Sequence, residues 1–461
     1  MISNGFFVAA VAAVLTFPMT GISYPHMNFA NAQEEQGGAC IGYEPVENTI
    51  TITCDHASFR DVANTIYDSA VLEKLRGDNG EYLLNASLQI NNGVTFAMTS
   101  NDGLQYLKIA GANGIIVNGK IRIDGVKITS WDPSTNNVVP QNINGSIRRA
   151  YIQFDASNSS EIINSEFAYL GYNELGRRGF DLFGDGGVSH GMEIKGSKFH
   201  HMWRPFYSTG AHNITIDGNE FHDNIKYTVD SHSGTHDMNI TNNWIHDDPI
   251  GVICSLDCYN ILIEGNRIDN ITNAGIFFSR NMSHSIARNN HIHNASSGII
   301  VSESSNNQIY NNTIEAATSE GVLLFNPAVP ADGLTEGNIV YNNTISNTGH
   351  GINTTRSHDN ILGDIKFYNL NSSEYLLTRN STIIITKQDF DNTSIAAGKG
   401  SPTDDKNNTV EIASSGIIGV TELKGDQGIN ETKYYYHYQY NTDDKAYRKV
   451  LSYGGSIMVN S

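Results

Sequence analysis

The chain is poor in proline and in charged residues. Its 461 residues include 10 prolines against 43 glycines, and only 17% of them are charged. Together with abundant asparagine, these figures suit a turn-rich all-β chain better than a helical one. The length is enough for one long solenoid or for two or three ordinary domains.

Basic residues are in deficit. The 29 Lys and Arg residues face 48 Asp and Glu residues, which gives a formal net charge of −19. This charge argues against nucleic acid as a partner. It would also repel a polyanionic sugar at long range, so such a substrate would need local cations where it binds.

Long apolar runs are missing from the chain after its N-terminal segment. No later stretch approaches the length of about 20 apolar residues that a membrane-spanning helix needs. The chain begins with MISNGFFVAAVAAVLTFPMTG, whose apolar core is short for a membrane span and ends near small residues. We interpret residues 1–33 as a secretory signal that lacks the usual Lys or Arg, with an uncleaved membrane anchor as the alternative. We therefore expect a secreted or cell-surface protein.

Cysteines number only 4. An even count in an exported chain predicts disulfides, and Cys40–Cys54 is the favoured pair. Cys254 and Cys258 either bridge or remain free. More than ten Asn-x-Ser/Thr sequons fit a glycosylated surface protein, although stacked asparagines in solenoid turns would produce such sequons by chance.

The chain does contain a repeat. Segments such as HNITIDGNEFHDN, MNITNNWIHDD and YNILIEGNRIDN recur every 22 to 24 residues. Their shared asparagines are Asn219, Asn243, Asn266, Asn290 and Asn312. Such a period is the signature of a solenoid. Stacked coils lie about 4.8 Å apart, so side chains one repeat apart share a surface groove.

We predict an all-β fold, a right-handed parallel β-helix over residues 81–392. The coils are longer than a hexapeptide helix allows, and they lack the Leu pattern of a leucine-rich repeat. Inward positions such as Ile214, Ile216 and Phe221 would supply the core.

Both ends of a β-helix need covering. Residues 34–80 are the predicted N-terminal cap, and the helical apolar spacing over residues 58–75 predicts a helix that covers the open end. Residues 393–461 are predicted to form a linker and then a C-terminal cap or small β unit.

Two stretches interrupt the repeat. Residues 175–191 include GRRGFDLFGDGGVSH, a Gly-rich insertion that is too long for a simple turn and that we expect to border a binding site. Residues 227–236, YTVDSHSGTH, bring titratable side chains onto one coil.

Tyr227, Asp230 and His232 are the candidate catalytic residues of that coil. In a strand, Asp230 and His232 point to the same face, because they are two residues apart. Tyr227 lies near the start of the same coil. A phenol, a carboxylate and an imidazole on one face make a candidate acid–base group, and an ordinary polar outer face is the alternative.

The sequence YTVDSH resembles the Tyr-Gly-Phe-Asp-Pro-His motif of mannuronan (alginate) C5-epimerases, which are right-handed parallel β-helix enzymes. Four flanking segments follow in an order similar to the periplasmic branch of that family: AYLGYNE, KFHHMWRPFYSTGAHNITIDGNEFHDNIKYTVDSHS, GIFFSRN and GIIVSESSNNQIYNN. The resemblance covers about residues 160–345.

This sequence departs from the family pattern in several places. Thr228, Val229 and Ser231 replace the Gly, Phe and Pro of the motif, and Leu256 stands where the family often has an arginine in the following coil. An arginine in a comparable setting appears one coil later, at Arg280.

The resemblance implies abstraction and return of the C5 proton of a uronic acid within a polymer. That proton lies α to a carboxylate, so a cationic or hydrogen-bonding group must offset the second developing negative charge. By family analogy Tyr227 and His232 are the base and the proton donor, in an order that the sequence leaves open. Asp230 and a nearby cation would supply the charge stabilisation.

Three cations are candidates for binding the substrate. Arg204 precedes Tyr227 by 23 residues, so a regular coil would stack it beside the tyrosine. Arg280 follows His232 by 48 residues, two coils away, where it suits a neighbouring carboxylate. Lys195 is a secondary candidate, because the repeat places it away from the Tyr227 column.

No metal is required by these residues. The sequence has no P-loop, GxSxG or HExxH motif. GDGG at 184–187 and the Asp247–Asp248 pair offer oxygen ligands that suit Ca²⁺, without the spaced Asp pattern of an EF-hand loop.

The leading hypothesis is a monomeric polysaccharide C5-epimerase that acts on an acidic polysaccharide, a uronan. A uronan lyase begins with the same proton abstraction and differs in expelling the C4 oxygen. A hydrolase ranks third, because it needs paired carboxylates and Asp230 has only Asp257 as a partner in an adjacent coil. A non-catalytic glycan-binding β-helix is the alternative from another class.

Overall fold

Short alternating runs form the strands of a parallel β-solenoid in the computed structural model of the chain. The structure describes residues 40–386 except 76, 78, 141–143, 156–158, 184–190, 331 and 380, and also residues 395–397, 408–413, 437–441 and 446–450. The predicted secretory signal and the GDGG stretch lie outside the described residues. The proposed division at residues 34–80, 81–392 and 393–461 stays a prediction.

Among its described residues, the N-terminal part contains one α-helix, Phe59–Thr65, and one short 3₁₀-helix, Ser100–Asp102. Its strands are Ile41–Glu44, Thr49–Ile52, His56–Ser58, Leu72–Lys74, Glu81–Leu84, Ser87–Ile90, Thr95–Thr99, Tyr106–Ala110, Gly114–Val117, Lys120–Asp124, Lys127–Asp132, Asn137–Val138, Tyr151–Phe154, Glu161–Ile163, Glu166–Ala168 and Gly179–Phe183.

The central strands are Glu193–Lys195, Lys198–His200, Arg204–Thr209, His212–Asp217, Glu220–His222, Val229–His232, His236–Thr241, Trp244–His246, Ile250–Ser255, Tyr259–Glu264, Arg267–Ser279, Ile286–Arg288, His291–Ser302, Gln308–Tyr310, Thr313–Glu315, Glu320–Phe325, Ile339–Tyr341, Thr344–Ser346 and His350–Thr355. The strands that follow are Asn360–Gly363, Lys366–Tyr368, Tyr375–Thr378, Thr382–Thr386, Ile395–Ala397, Thr409–Ala413, His437–Asn441 and Ala446–Val450.

One coil shows how the chain winds. His212–Asp217 belongs to a 16-stranded sheet, and Glu220–His222 and Val229–His232 belong to a 27-stranded sheet. Each of these strands pairs in parallel with its equivalent in the next coil, as Phe221 does with Ile245. The predicted parallel β-helix is therefore confirmed.

Inward side chains stack in columns along the axis. The three predicted core residues Ile214, Ile216 and Phe221 are fully buried. The rings of Phe199 and Phe221 stack with centroids 4.9 Å apart, one coil above the other. Because the coils repeat, each buried side chain covers the one below it, and the apolar core is continuous.

The shared asparagines form a hydrogen-bonded ladder. The side-chain amide of Asn243 donates to Asn266 Oδ1 at 3.0 Å, and that of Asn266 donates to Asn290 Oδ1 at 3.0 Å. The same amide of Asn266 also donates to the Ile240 carbonyl at 2.8 Å. These asparagines are buried, so the ladder satisfies polar groups that water does not reach. The register predicted from the sequence is confirmed.

The predicted N-terminal helix is shorter than residues 58–75. It begins at the Ser58 cap, where Ser58 and Asp61 form a capping box, and it ends before Ile66, whose backbone is extended. Leu72 instead lies in a strand and pairs antiparallel with Leu84. An apolar residue such as Leu72 fits the spacing of a helix or of a strand. The strand forms because Leu84 is its partner, and the local spacing does not show that partner.

The cysteine prediction is confirmed for Cys40–Cys54, which form a disulfide. Cys254 and Cys258 are free and buried. None of the helices in the described part of the chain is long and apolar enough to cross a membrane.

We predict that Asn266→Ala lowers the free energy of unfolding by about 1–3 kcal/mol, because it leaves buried amides of the neighbouring coils without partners. Chemical denaturation followed by circular dichroism measures the change. Asn239→Ala is the matched control, since Asn239 is exposed in the strand His236–Thr241 and should change stability by less than about 0.5 kcal/mol. Equal effects of the two substitutions would contradict a stabilising ladder.

Candidate active site

Asp230 and His232 lie on the outer face of the strand Val229–His232. Val229 packs into the core, and the Ser231 hydroxyl donates to the Met238 sulfur on the inner side. Alternation then places Asp230 and His232 together on the other face, as the sequence predicts. Asp230 is nevertheless only 1% exposed, so this face is not an ordinary solvated surface.

Arg204 covers Asp230. A guanidinium N–H of Arg204 donates to Asp230 Oδ2, and its guanidinium carbon lies 5.0 Å from the centre of the Tyr227 ring. The predicted stacking of Arg204 beside Tyr227 is therefore confirmed. The strand Arg204–Thr209 contains a register shift opposite Gly179–Asp181, a bulge of the kind that re-aims side chains near active sites.

Burial raises the pKa of Asp230, and Arg204, Arg178 and Arg280 oppose this effect. Asp230 Oδ1 is buried and has no hydrogen-bond partner among the described residues. One oxygen of the carboxyl group is thus committed to Arg204 and the other is unsatisfied. Such an uncompensated acceptor is costly in a folded protein and marks a site that a ligand or its own proton completes.

His232 is held as a neutral imidazole in one tautomer. Arg280 Nη2 lies 3.1 Å from Nε2, and Ser233 Oγ lies 2.7 Å from Nδ1. Arginine only donates hydrogen bonds, so Nε2 is the acceptor and Nδ1 carries the proton. Burial, with Arg280, Arg204 and Arg178 acting in the same direction, lowers the pKa of His232 to about 4. At neutral pH Nε2 is therefore unprotonated, and its lone pair accepts the hydrogen bond from Arg280.

Arg280 reaches this imidazole from the turn after the strand Arg267–Ser279. Its Nε and Nη2 donate to Ser255 Oγ at 3.1 and 3.0 Å, and Asp332 lies 3.9 Å from Nε. The side chain extends across the preceding coil, in which Leu256 is the residue equivalent to Arg280. Arg280 thus places a cation near His232, although the arginine of the family pattern is replaced by Leu256.

Tyr227 and Tyr207 both lie near Arg204, with ring centres 5.0 and 5.5 Å from its guanidinium carbon. Burial raises the pKa of Tyr227, with Arg204 opposing this and Asp230 reinforcing it. The phenol is therefore protonated at neutral pH and can donate a hydrogen bond or a proton.

The motif departure at Thr228 is accommodated by a buried carboxylate. In the next two coils this position is Gly251 and Gly275, where an added Cβ would come within 2.5 and 2.8 Å of the carbonyl oxygen one coil above. At Thr228 the hydroxyl donates to Asp248 Oδ2, and burial raises the pKa of Asp248 to about 6. Thr228 and Asp248 thus form a structural pair beneath the site.

Some predicted ligands are not brought to the site. Lys195 belongs to the other sheet, on the strand Glu193–Lys195, where it pairs with Glu193 at 2.8 Å. Asp248 is buried beneath Thr228, whereas Asp247 contacts His246 at 2.6 Å, so the two carboxylates do not act together. In the described residues no group of three or more His, Cys, Asp and Glu side chains is arranged to hold a metal ion.

Asp257 does not pair with Asp230. It is exposed in the turn after the strand Ile250–Ser255, and its Oδ1 accepts a hydrogen bond from Asn281 at 2.6 Å. Asp230 contacts Arg204 instead.

Sequence reasoning missed Tyr207, Arg178 and Asp181. Tyr207 pairs with Asp230 in register, and its ring stacks on His232 with centroids 5.9 Å apart. The 23-residue interval that places Arg204 beside Tyr227 also separates Tyr207 from Asp230, so the signal was present in the repeat.

The Gly-rich stretch at 175–191 is not wholly an insertion, because Gly179–Phe183 is a regular strand of the ladder. It does border the site. Asp181 is fully buried one coil before Tyr207, and burial raises its pKa to about 7 against the opposing effect of Arg178. Because glycines surround this strand, its short alternation of apolar residues was not recognised as a buried strand.

We predict that the His232 imidazole titrates with a midpoint near 4 and that Arg280→Ala moves this midpoint upward. Removing Arg280 takes away a cation that disfavours the imidazolium and also uncovers Nε2. Heteronuclear NMR of the imidazole against pH measures both midpoints. Arg122→Ala, on the other sheet, should leave the His232 midpoint unchanged, and an unshifted midpoint in Arg280→Ala would contradict the contact.

Comparison with known proteins agrees with this fold. The family model "Right handed beta helix region" matches residues 178–329 and 288–425, together more than half of the chain. The crystal structure of the periplasmic alginate epimerase AlgG superposes with a TM-score of 0.62 at 20% sequence identity, over 73% of this chain and 78% of that one.

Two curated relatives are similar over part of their length. A mannuronan C5-epimerase of Pseudomonas syringae pv. tomato is 26% identical over 212 residues, 43% of this chain and 39% of that protein. A mannuronan C5-epimerase of Pseudomonas putida is 23% identical over 260 residues, 54% of this chain and 50% of that protein. The chain thus spans half or less of these relatives. It belongs to the right-handed β-helix family and, within that family, is similar to mannuronan C5-epimerases.

Proposed function

We propose that this protein is a polysaccharide C5-epimerase that inverts uronic acid residues, of the mannuronate-to-guluronate type, within an acidic polymer outside the cytoplasm. The observation that carries the proposal is a neutral His232 and a protonated Tyr227 on one face of the helix, with Arg204 and Arg280 beside them. The similarity to mannuronan C5-epimerases and to a periplasmic alginate epimerase supports it.

The arginines address the main chemical difficulty. Removing a proton α to a carboxylate places a second negative charge on that group, so the barrier falls only where cations meet the developing charge. Arg280 and Arg204 are fixed by Ser255 and Asp230. Fixed donors of this kind need little reorganisation during the reaction.

Substrate binding would also release the base. In the free protein, Arg280 occupies the lone pair of His232 Nε2. A uronate carboxylate competes for the same guanidinium, because charge-assisted bonds to a carboxylate are stronger than a bond to a neutral imidazole. Arg280 then binds the substrate, and Nε2 is free to accept a proton.

The protonation states favour one assignment of roles. His232 Nε2 takes the C5 proton, and the electron pair of the C–H bond moves into the carboxylate to give an enediolate. The Tyr227 hydroxyl then gives its proton to C5 from the opposite face, which inverts the centre. The phenolate regains a proton, and the imidazolium loses one, by exchange with water.

A uronan lyase shares the first step and would show itself by unsaturated sugar ends. A hydrolase with Asp181 and Asp230 as its acids is disfavoured, because these carboxyls are 0% and 1% exposed and an attacking water could not reach between them. A purely glycan-binding protein would have no need for a buried base with a lowered pKa.

We predict that the protein incubated with polymannuronate in D₂O yields guluronate signals with deuterium at C5 in the proton NMR spectrum. His232→Ala should slow this conversion by about 10²–10⁴-fold, the usual contribution of a general base. Lys195→Ala, at the candidate cation outside the site, is the control and should convert the polymer like the wild type. Guluronate formation by His232→Ala at the wild-type rate would remove His232 from the mechanism.

Tyr227→Phe tests the order of the two groups. With the base intact and the donor removed, we predict that mannuronate still acquires deuterium at C5 while guluronate formation falls by about 10²-fold or more. Tyr368→Phe is the matched control at a half-exposed tyrosine. Loss of both deuterium exchange and inversion in Tyr227→Phe would instead make the phenolate the base.

A further inference from the structure

Arg178 is a cation of the site that the proposed reaction leaves unused. Its guanidinium carbon lies 4.0 Å from the centre of the Tyr207 ring, so the cation rests on the ring face. The side chain is partly exposed. It is close enough to oppose the pKa rise of Asp230 and to lower the pKa of His232.

Arg178 has no carboxylate partner within 4.0 Å in the part of the chain that the structure describes. The adjacent Arg177 pairs with Glu174 at 2.7 Å, and Arg204 pairs with Asp230. The Nη1 atom of Arg178 is buried and has no hydrogen-bond acceptor among the described residues. An unpaired guanidinium is unexpected in a chain with a formal net charge of −19, and it is a ready partner for an external anion.

The neighbouring acid does not neutralise it. Asp181 accepts a hydrogen bond from the backbone N–H of Arg178 at 3.1 Å, but its carboxyl makes no ion pair with the Arg178 side chain. Burial raises the pKa of Asp181 to about 7, so the carboxyl is partly protonated near neutral pH. The positive charge of Arg178, which rests on the Tyr207 ring, is then only partly compensated by Asp181.

Toward the C-terminal coils, the column of positions that begins at Asp230 is apolar. The positions that follow Asp230 in the next coils are the apolar residues Ile253, Phe277 and Ile300. The three positions that follow Asp230 in this column therefore offer no cation to a neighbouring carboxylate, whereas Arg178 lies on the N-terminal side, on the Tyr207 ring.

We propose that Arg178, seated on Tyr207, is a second carboxylate-binding subsite that holds a uronic acid next to the reacting one. This inference rests on the proposed function, because the reacting sugar defines the neighbouring position. Its consequence is a substrate class. The protein requires a uronic acid next to the reacting one on the N-terminal side of the reaction centre.

The test compares intact polymannuronate with polymannuronate in which part of the carboxyl groups has been reduced to neutral alcohols. Arg178→Gln should raise the KM for the intact polymer by about tenfold or more, the loss of one charge-assisted contact, with kcat nearly unchanged. The wild type should show a higher KM on the reduced polymer, and Arg178→Gln should discriminate less between the two. Arg177→Gln is the matched control and should behave like the wild type.

Arg178→Lys keeps the charge but cannot lie flat on the ring, so its KM should fall between those of the wild type and Arg178→Gln. If Arg178→Gln does not fold by circular dichroism, the wild type and the lysine variant decide the question. A wild type with equal KM for both polymers would overturn the subsite, and so would equal KM values of Arg178→Gln and Arg177→Gln on the intact polymer.

Binding without turnover separates this proposal from the proposed reaction. Isothermal titration with intact and reduced polymannuronate measures affinity whether or not epimerisation occurs. Arg178-dependent binding without product would retain the subsite and reject the epimerase. Epimerisation together with Arg178-independent binding would retain the epimerase and reject the subsite.

Discussion

The structure depends on the stacking of each residue on its equivalent one coil away. Buried asparagines such as Asn266 find acceptors only in the adjacent coils, so no coil is satisfied alone. The same stacking determines which polar residues meet on the outer face. Tyr207 lies beside Asp230 because their coils are adjacent and in register. The site is thus a product of the repeat spacing as much as of its local sequence.

Charge within the site runs opposite to charge over the whole chain. The formal net charge is −19, yet three guanidinium groups surround His232, namely those of Arg280, Arg204 and Arg178. Partly buried charges interact in a lower effective dielectric, so nearby groups dominate over distant ones. A buried pair such as Arg204–Asp230 contributes little to stability. Its value lies in holding a cation at a fixed place beside Tyr227.

Much of the fold and part of the site could be predicted from the sequence. The asparagine period, the core positions and the shared face of Asp230 and His232 follow from periodicity alone, and so does the place of Arg204. The contact between Arg280 and His232 does not, because it depends on the reach of a long side chain over the coil that ends in Leu256. Periodicity specifies which coil a residue occupies, but it does not specify which groups the end of a long side chain contacts.

Composition and charge were poor guides to structure at two places in the chain. The glycines around the strand Gly179–Phe183 suggested an insertion, although its Phe180 and Leu182 are fully buried and continue the core. Lys195 was a candidate by charge, but its strand belongs to the other sheet. In both cases the structure of a short strand depends on the strands that it pairs with in neighbouring coils. The residues of the strand alone do not specify that pairing.

The glycines that precede the outer strands limit where this scaffold can change. At Gly251, Gly275 and Gly298 any side chain would collide with the coil above, so these coils accept almost no variation at that point. The equivalent position in the coil of Asp230 and His232 is Thr228, where a hydroxyl and a buried carboxyl fill the space. In that coil, therefore, the position holds a side chain instead of a glycine. New side chains, and with them new specificities, have a place to enter there without unstacking the rest of the solenoid.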